Sequence, residues 1–161
     1  MMTLCGVVGC RMASKMGKNT ARILSRELAN RNINIISGLA LGIDKYAHLG
    51  ALDSEIGKTV AVLGGSLADE EIYPYQNYKV FERILEKGGA VVSEYGIHTK
   101  PEGSHFPARN RIISGLSDKV IVVEAKRKSG SLITANWALE QGKDVFAVPR
   151  KYFCEKFGGD E

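Results

Sequence analysis

The feature that most constrains the fold of this 161-residue chain is the alternation of short apolar runs with longer amphipathic segments. Most of the short runs are rich in Val and Ile at consecutive positions, which is typical of strands buried on both faces of a parallel sheet. The predicted strands are Leu4–Val8, Ile33–Ile36, Thr59–Leu63, Ala90–Ser93, Lys119–Glu124 and Asp144–Val148. The predicted helices lie near 18–31, 43–56, 76–87, 107–116 and 131–141.

This order of elements predicts an α/β fold with a doubly wound, mostly parallel sheet of the Rossmann-like kind. The alternation continues over nearly the whole chain without a repeat or a low-complexity linker. We therefore expect a single domain over residues 1–150, followed by a short C-terminal tail at 151–161 that contains no clear element.

Composition and charge narrow the class of protein. Hydrophobic residues make up 44% of the chain and charged residues 25%, and the net charge of +4 permits a nucleic-acid partner without requiring one. No apolar run approaches the roughly 18 residues that cross a bilayer, and the three cysteines form no Cys-x-x-Cys pair. We predict a cytoplasmic protein with no membrane partner. The three histidines lack the spacing of metal ligands, so we expect no metal and no cofactor.

Two familiar phosphate-binding motifs are absent. A glycine follows the first strand, but the G-x-G-x-x-G spacing is missing, and Ser37 and Gly38 stand where a nicotinamide-dinucleotide site carries an acid. The letters MGKN resemble the end of a P-loop, but Met12 occupies the position of its first glycine and Asn19 that of its hydroxyl residue. Asp44 and His48, four residues apart, form a possible catalytic pair, but a structural role is the better interpretation.

The loop after the first strand, GCRMASKMGK, is the first candidate binding segment. Ligands of parallel α/β sheets bind outside the carboxyl ends of the strands, and the first strand usually lies at the centre of the sheet. Gly9 leaves space for a ligand to approach the backbone, and Arg11 and Lys15 follow it with positive charge.

The segment FPARNR adds an aromatic ring and two arginines from another loop. If this segment is helical, Arg109 and Arg111 point to different faces. One arginine then reaches a ligand, while the other braces a loop acid such as Glu94. Phe106 is either a stacking surface for a base or a core residue that pins the loop.

The segment SGSLITANWAL follows the fifth strand and opens a helix. Ser129 or Ser131 is a natural N-cap, and Gly130 lets the backbone bend tightly. Free N–H groups at a helix start also bind anions, and the preceding Lys126 and Lys128 favour a phosphate there. A charged groove with an aromatic platform is the chemistry of single-stranded nucleic acid, although a mononucleotide would satisfy the same groups.

These motifs together identify a resemblance to the DprA/Smf family of DNA-processing proteins. The matching segments include VVGCR, SGLALGID, FPARNRIISGLSDKVIVVEA and SGSLITANWALEQGKDVFAVP, and they run in family order from about residue 6 to residue 149. The resemblance implies a Rossmann-like domain that binds single-stranded DNA, protects it and helps to load RecA during natural transformation and recombination.

The resemblance also implies roles for individual residues. Arg11 matches an arginine that contacts DNA phosphates, and Gly38, Gly42 and Asp44 match a block that shapes the pocket. The blocks that line the DNA site are matched by Phe106, Arg109, Asn110, Arg111, Ser129, Gly130 and Thr134. The chain departs from the family at Leu41, where an arginine is usual, and after Pro149, where a glycine is usual.

From the residues and the resemblance we predict a DNA-binding protein that is not an enzyme, with RecA and a second copy of the chain as further candidate partners. The predicted DNA- or phosphate-binding residues are Gly9, Arg11, Lys15, Gly38, Gly42, Phe106, Arg109, Asn110, Arg111, Lys126, Lys128, Ser129, Gly130, Ser131 and Thr134.

Two other functions stay open on the sequence alone. One is a nucleotide-binding or nucleotide-cleaving protein similar to the cytokinin-activating phosphoribohydrolases. Those enzymes carry PGGxGTxxE where this chain has KSGSLITANWA, and Ala135 and Asn136 follow the Thr in place of their acid. The other is a sensor of a nucleotide-derived small molecule, which needs no catalytic acid.

Overall fold

A computed structural model of the protein describes residues 2–149. The strands are β1 (Thr3–Val8), β2 (Ile33–Ser37), β3 (Thr59–Leu63), β4 (Ala90–Ser93), β5 (Lys119–Val122) and β6 (Asp144–Ala147). The helices are α1 (Lys15–Asn30), α2 (Ile43–Asp53), α3 (Tyr78–Glu86), α4 (His105–Leu116) and α5 (Gly130–Glu140). The predicted α/β class is confirmed, and the predicted tail at 151–161 lies outside the described residues.

The six strands form one sheet in the order β4-β3-β2-β1-β5-β6, and every neighbouring pair is parallel. From β1 the chain first moves outward through β2, β3 and β4, and then returns to place β5 on the other side of β1. The direction of winding therefore switches between β1 and β5. A doubly wound sheet opens a crevice at such a switch, outside the carboxyl ends of the two strands.

Consecutive apolar residues bury both faces of the central strands. Val7 and Ile35 point into the core beneath α1 and α2, while their neighbours Val8 and Ile36 point into the core beneath α4 and α5. Side chains alternate between the two faces of a strand, so an unbroken apolar run is required where helices cover both. A third cluster packs α3 against β3 and the end of α2.

The two helix boundaries that differ most from the sequence prediction, by three residues each, do so because serine side chains satisfy free backbone groups. α1 begins at Lys15, three residues earlier than predicted, because the Ser14 hydroxyl accepts a hydrogen bond from the Gly17 amide at 3.0 Å. α2 ends at Asp53, earlier than predicted, because Ser54 turns into extended backbone and its hydroxyl accepts from the Gly57 amide. Among the helices of residues 2–149, none has the length and apolar character needed to cross a bilayer.

Candidate functional site

A cavity of about 510 Å³ opens in the crevice between β1 and β5. It lies between the loops that follow these two strands and the first turns of α4 and α5. The predicted residues that line it are Gly9, Arg11, Phe106, Arg109, Asn110, Lys126, Lys128, Ser129, Gly130, Ser131 and Thr134. The structure thus brings together most of the residues that the sequence singled out, and places Lys15, Gly38, Gly42 and Arg111 outside the lining of this cavity.

The start of α5 forms one wall of the cavity. Ser129 is the N-cap, and its hydroxyl accepts a hydrogen bond from the Ser131 amide at 3.2 Å. The Asn110 side chain donates to the Gly130 carbonyl at 3.1 Å and so ties α4 to this turn. A side chain added at Gly130 would meet only the Asn110 amide nitrogen, at 3.9 Å, so the backbone here is open to a ligand. An open helix start is suited to an anion.

Phe106 forms the opposite wall and is half-buried rather than fully exposed. Its ring lies 5.7 Å from the Tyr73 ring, and the guanidinium carbons of Arg11 and Arg109 lie 5.2 Å and 5.5 Å from its centroid. Gly64 approaches the ring so closely that an added side-chain carbon would lie 3.0 Å from it. Phe106 therefore has neighbours from the loops after β1 and β3 and from its own helix, of which the exposed Arg11 is the most readily displaced.

Arg109 lies behind Phe106 and only 4% of it is exposed. Its Nη1 donates to the carbonyls of Gly38 and Val62, both at 2.7 Å, and its Nε donates to the Asn110 side chain at 3.0 Å. Burial lowers the pKa of Arg109, and the nearby Asp44 opposes that shift. These contacts make Arg109 a support for the loop after β2 and for the Phe106 ring.

Arg111 occupies the other face of α4 and is exposed. Its Nη2 donates to the Glu94 carboxylate, as the sequence pattern predicts for the arginine that does not face the ligand. Arg111 thus lies outside the lining of the cavity, although the sequence assigned it a contact with DNA. The predicted contact of one arginine with Glu94 is made by Arg111, and Arg109 lies on the cavity side.

Three glycines near the cavity make room for protein atoms. A side-chain carbon at Gly9 would lie 2.7 Å from Cβ of Ile43 and 2.8 Å from the Glu124 carbonyl, so the expectation that Gly9 reserves space for a ligand is wrong. Gly38 has the same constraint from Arg109 and Asp44. Gly42 has φ +79° and packs against the carbonyls of the loop after β1. These glycines bring the loops after β1 and β2 into contact.

Asp44 and His48 both hold the loop after β2. An Asp44 carboxylate oxygen accepts from the Gly38 amide at 3.1 Å, and Nε2 of His48 accepts from the Leu39 amide at 3.3 Å. The Thr59 hydroxyl donates to a backbone carbonyl, so Nδ1 of His48 is the donor in their 2.7 Å contact. Burial, aided by the charge of Arg109, lowers the pKa of His48 to about 3, and burial raises the pKa of Asp44.

Sequence reasoning missed two side chains, one in the cavity lining and one packed against Phe106. Met12 is 80% exposed and lines the cavity beside Arg11. Tyr73, in the loop after β3, is half-exposed and packs against Phe106. Both follow strands of the central sheet, and an aromatic residue before a proline in such a loop was the signal that could have found Tyr73.

The loops after β3 and β4 lie at the same edge of the sheet but bind each other. The Ser66 amide donates to the Thr99 carbonyl at 3.2 Å, and the His98 amide donates to the Ser66 hydroxyl at 3.0 Å. Nδ1 of His98 lies 2.9 Å from a Glu71 carboxylate oxygen, which raises the pKa of His98. Hydrogen bonds with Ser66 and, second, with His98 lower the pKa of Glu71. We call residues 64–72 and 94–100 the paired loops.

The chain is similar in sequence and in fold to proteins that are named for DNA processing. Residues 1–161 match the family model for DNA recombination-mediator protein A. DNA processing protein DprA of Bacillus subtilis is 45% identical over 154 residues, which are 96% of this chain and 50% of that protein. The chain thus spans about half the length of this curated relative.

Two solved structures share the fold. The X-ray structure of DNA processing protein A from Streptococcus pneumoniae superposes with a TM-score of 0.82 at 45% identity, over 92% of this chain and 50% of that one. A structure that describes the single-stranded DNA binding mode of DNA processing protein A from Helicobacter pylori has a TM-score of 0.83 at 33% identity. That match covers 99% of this chain and 69% of the other.

Proposed function

The chain belongs to the DNA recombination-mediator protein A family, and from that premise we propose that it binds single-stranded DNA in the crevice between β1 and β5. In this role it protects incoming single strands and aids the loading of RecA in natural transformation and recombination. Relatives at 45% and 48% identity are named DNA processing protein DprA, so the nucleotide-binding alternative is not favoured.

The observation that carries the proposal is the juxtaposition, across one cavity, of an open helix start and an aromatic ring. Ser129 and Gly130 offer backbone and hydroxyl donors on one wall, and Phe106 stands on the other. Lys126 and Lys128 are exposed beside the helix start and add positive charge. Phosphates bind the first wall and a base stacks against the second, which is how sequence-tolerant single-strand binders work.

We propose that the Arg11 side chain has one position in the free protein and another in the complex with DNA. In the free protein its guanidinium lies over Phe106, 5.2 Å from the ring centroid. A base that stacks on the ring from this side takes the place of the guanidinium, which is then free to pair with a phosphate. Arg11 would therefore contribute charge to the complex, while Phe106 contributes surface.

The partners beyond DNA follow from the same proposal. RecA is the proposed protein partner, and the chain is also proposed to associate with a second copy of itself. The proposed location of these interactions is the cytoplasm. The role is binding without catalysis. In the described part of the chain, no group of three or more His, Cys, Asp or Glu residues is placed to hold a metal ion.

Titration of oligo-dT strands of increasing length, mononucleotides and duplex DNA tests the proposal. Each phosphate contact releases counterions, so affinity for single strands rises with length, exceeds that for mononucleotides and falls steeply with salt. Equal or tighter binding to duplex at the same salt contradicts single-strand specificity. Saturation by mononucleotides with no gain from longer strands would instead assign the cavity to a nucleotide.

A further inference from the structure

The helices that directly follow β1 and β5, the two strands beside the crevice, are α1 and α5. In doubly wound folds the start of the helix after the first strand is the usual position for a ligand phosphate, because its free amides and the helix dipole attract anions. In this chain neither α1 nor α5 has an acidic residue in its own first turn. The two helix starts would therefore compete for the same anionic ligand.

The start of α1 already holds an anion that comes from another element. Glu124 follows β5, and its two carboxylate oxygens accept from the Ser14 amide, each at 3.2 Å. The Ser14 hydroxyl donates to the same carboxylate at 2.9 Å while it accepts from the Gly17 amide at 3.0 Å. Both hydrogen-bond donors of Ser14, the amide and the hydroxyl, thus donate to Glu124.

Gly17 and the backbone of Glu124 fix this carboxylate in place. A side-chain carbon at Gly17 would lie 3.1 Å from the carboxylate carbon and would collide with one of its oxygens, so the carboxylate packs directly on the first turn of α1. The Glu124 carbonyl accepts from the Cys10 amide at 2.7 Å, which anchors the residue to the loop after β1. The carboxylate is held at both its backbone and its side chain.

The start of α5 has the opposite arrangement. Its Ser129, Gly130 and Ser131 line the cavity, and Gly130 has open space where a side chain would stand. Lys126 and Lys128, which precede this helix start in the sequence, also line the cavity. The start of α1 is thus bonded to a carboxylate, whereas the start of α5 lines the cavity together with two lysines.

We infer that Glu124 is a specificity-determining residue, which occupies the phosphate position at the start of α1 and directs ligand phosphates to the start of α5. A ligand phosphate at α1 would need the donors that Glu124 holds and would lie beside a like charge. The pyrophosphate of a free dinucleotide, bound as in other doubly wound folds, is thereby excluded. Phosphates that approach along β5, whether of a strand or of a mononucleotide, are admitted.

The inference is tested with inorganic pyrophosphate as probe, by following the backbone amide resonances of the whole chain. In the wild-type protein we expect pyrophosphate to shift the amides of Gly130, Ser131 and Leu132 and to leave Ser14–Gly17 unchanged. In Glu124→Ala we expect the Ser14–Gly17 amides to shift as well, with an apparent affinity at least about tenfold above any seen there in the wild type.

Two results would overturn the inference. One is saturable shifts at Ser14–Gly17 in the wild-type protein, a measurement that stands even if Glu124→Ala does not fold. The other is a folded Glu124→Ala protein whose Ser14–Gly17 amides do not respond. Glu140→Ala, which removes an exposed acid at the far end of α5, is the control for net charge. If it opens α1 equally, the effect is not local to Glu124 and the inference fails.

Discussion

Two regions at the same edge of the sheet treat their polar groups in opposite ways. The paired loops after β3 and β4 satisfy each other, with Ser66 and Thr99 joined through backbone and His98 joined to Glu71. The crevice between β1 and β5 keeps a cavity of about 510 Å³ lined by a helix start, cations and an aromatic ring. Both regions are loops after parallel strands, so position in the fold alone does not make a binding site.

The paired loops and the crevice differ in whether the protein itself supplies the hydrogen-bond and ion-pair partners of their polar groups. In the paired loops the acid and the base are both supplied by the protein. In the crevice the protein supplies an acid, Glu124, at only one of two helix starts and leaves the other to face basic residues. The boundary between the two regions is held by Arg109, which bonds the carbonyls of Gly38 and Val62.

The largest effect is expected on the stability of the protein when Arg109 is replaced. Arg109→Ala leaves two buried carbonyls without their donor and removes packing from Phe106, so we expect the free energy of unfolding to fall by about 3 kcal/mol or more. Arg111→Ala is the matched control, because its pair with Glu94 is largely exposed and such pairs contribute about 0–1 kcal/mol. Equal losses in urea unfolding would contradict a supporting role for Arg109.

The next effect is on pH dependence. His48 has a pKa of about 3 in the folded protein and an ordinary value of 6.5 when unfolded. Only the unfolded state takes up this proton between these values, so stability is complete above 6.5 and is lost as the pH falls. We expect urea unfolding at pH 5 to show about 2 kcal/mol less stability than at pH 7 from this group. A His48→Gln protein with an unchanged pH slope would refute this assignment.

Phe106→Ala tests the aromatic wall of the crevice. Loss of a stacking surface costs about 1–3 kcal/mol in binding to oligo-dT and leaves the salt slope nearly unchanged. Phe146→Ala removes a ring that is 49% exposed on the edge strand β6 and should leave binding intact. Thermal melts run in parallel separate stacking from packing, because a binding loss that merely follows unfolding would assign Phe106 to the core.

The smallest effect is expected for a single charge. Arg11→Ala should weaken the binding of all sequences about evenly and reduce the slope of log affinity against log salt by roughly one. Arg31→Ala is the control, since Arg31 lies just past the end of α1 and pairs with Glu27. An unchanged salt slope in Arg11→Ala would remove Arg11 from the phosphate contacts.

The fold was predictable from the sequence because strands that are buried on both faces consist of consecutive apolar residues. Val7 and Val8, like Ile35 and Ile36, are consecutive apolar residues, so both faces of their strands are apolar. A sheet that is covered by helices on both faces buries such strands completely. Boundaries were less accurate where one hydroxyl decides the outcome. Ser14 and Ser54 shift the ends of α1 and α2 through single hydrogen bonds that hydrophobic periodicity does not record.

The residues that form the candidate site were predictable from the sequence, but the contacts that these residues make were not. The loops, the cations and the capped helix start follow from residue types and spacing. Whether Gly9 faces a ligand or Ile43, and whether Arg109 is exposed or bonded to Val62, depends on residues distant in sequence. The bond between Glu124 and Ser14 spans 110 positions, so no local pattern could reveal it.

The most direct test of the account is to map which backbone amides of the chain shift when a short oligo-dT strand is added. The account predicts shifts at 9–12, 105–110 and 126–134, which surround the crevice, and none at the paired loops 64–72 and 94–100. Agreement would place the strand against Phe106 and the start of α5. Shifts centred on the paired loops, with the crevice unchanged, would contradict the proposed site.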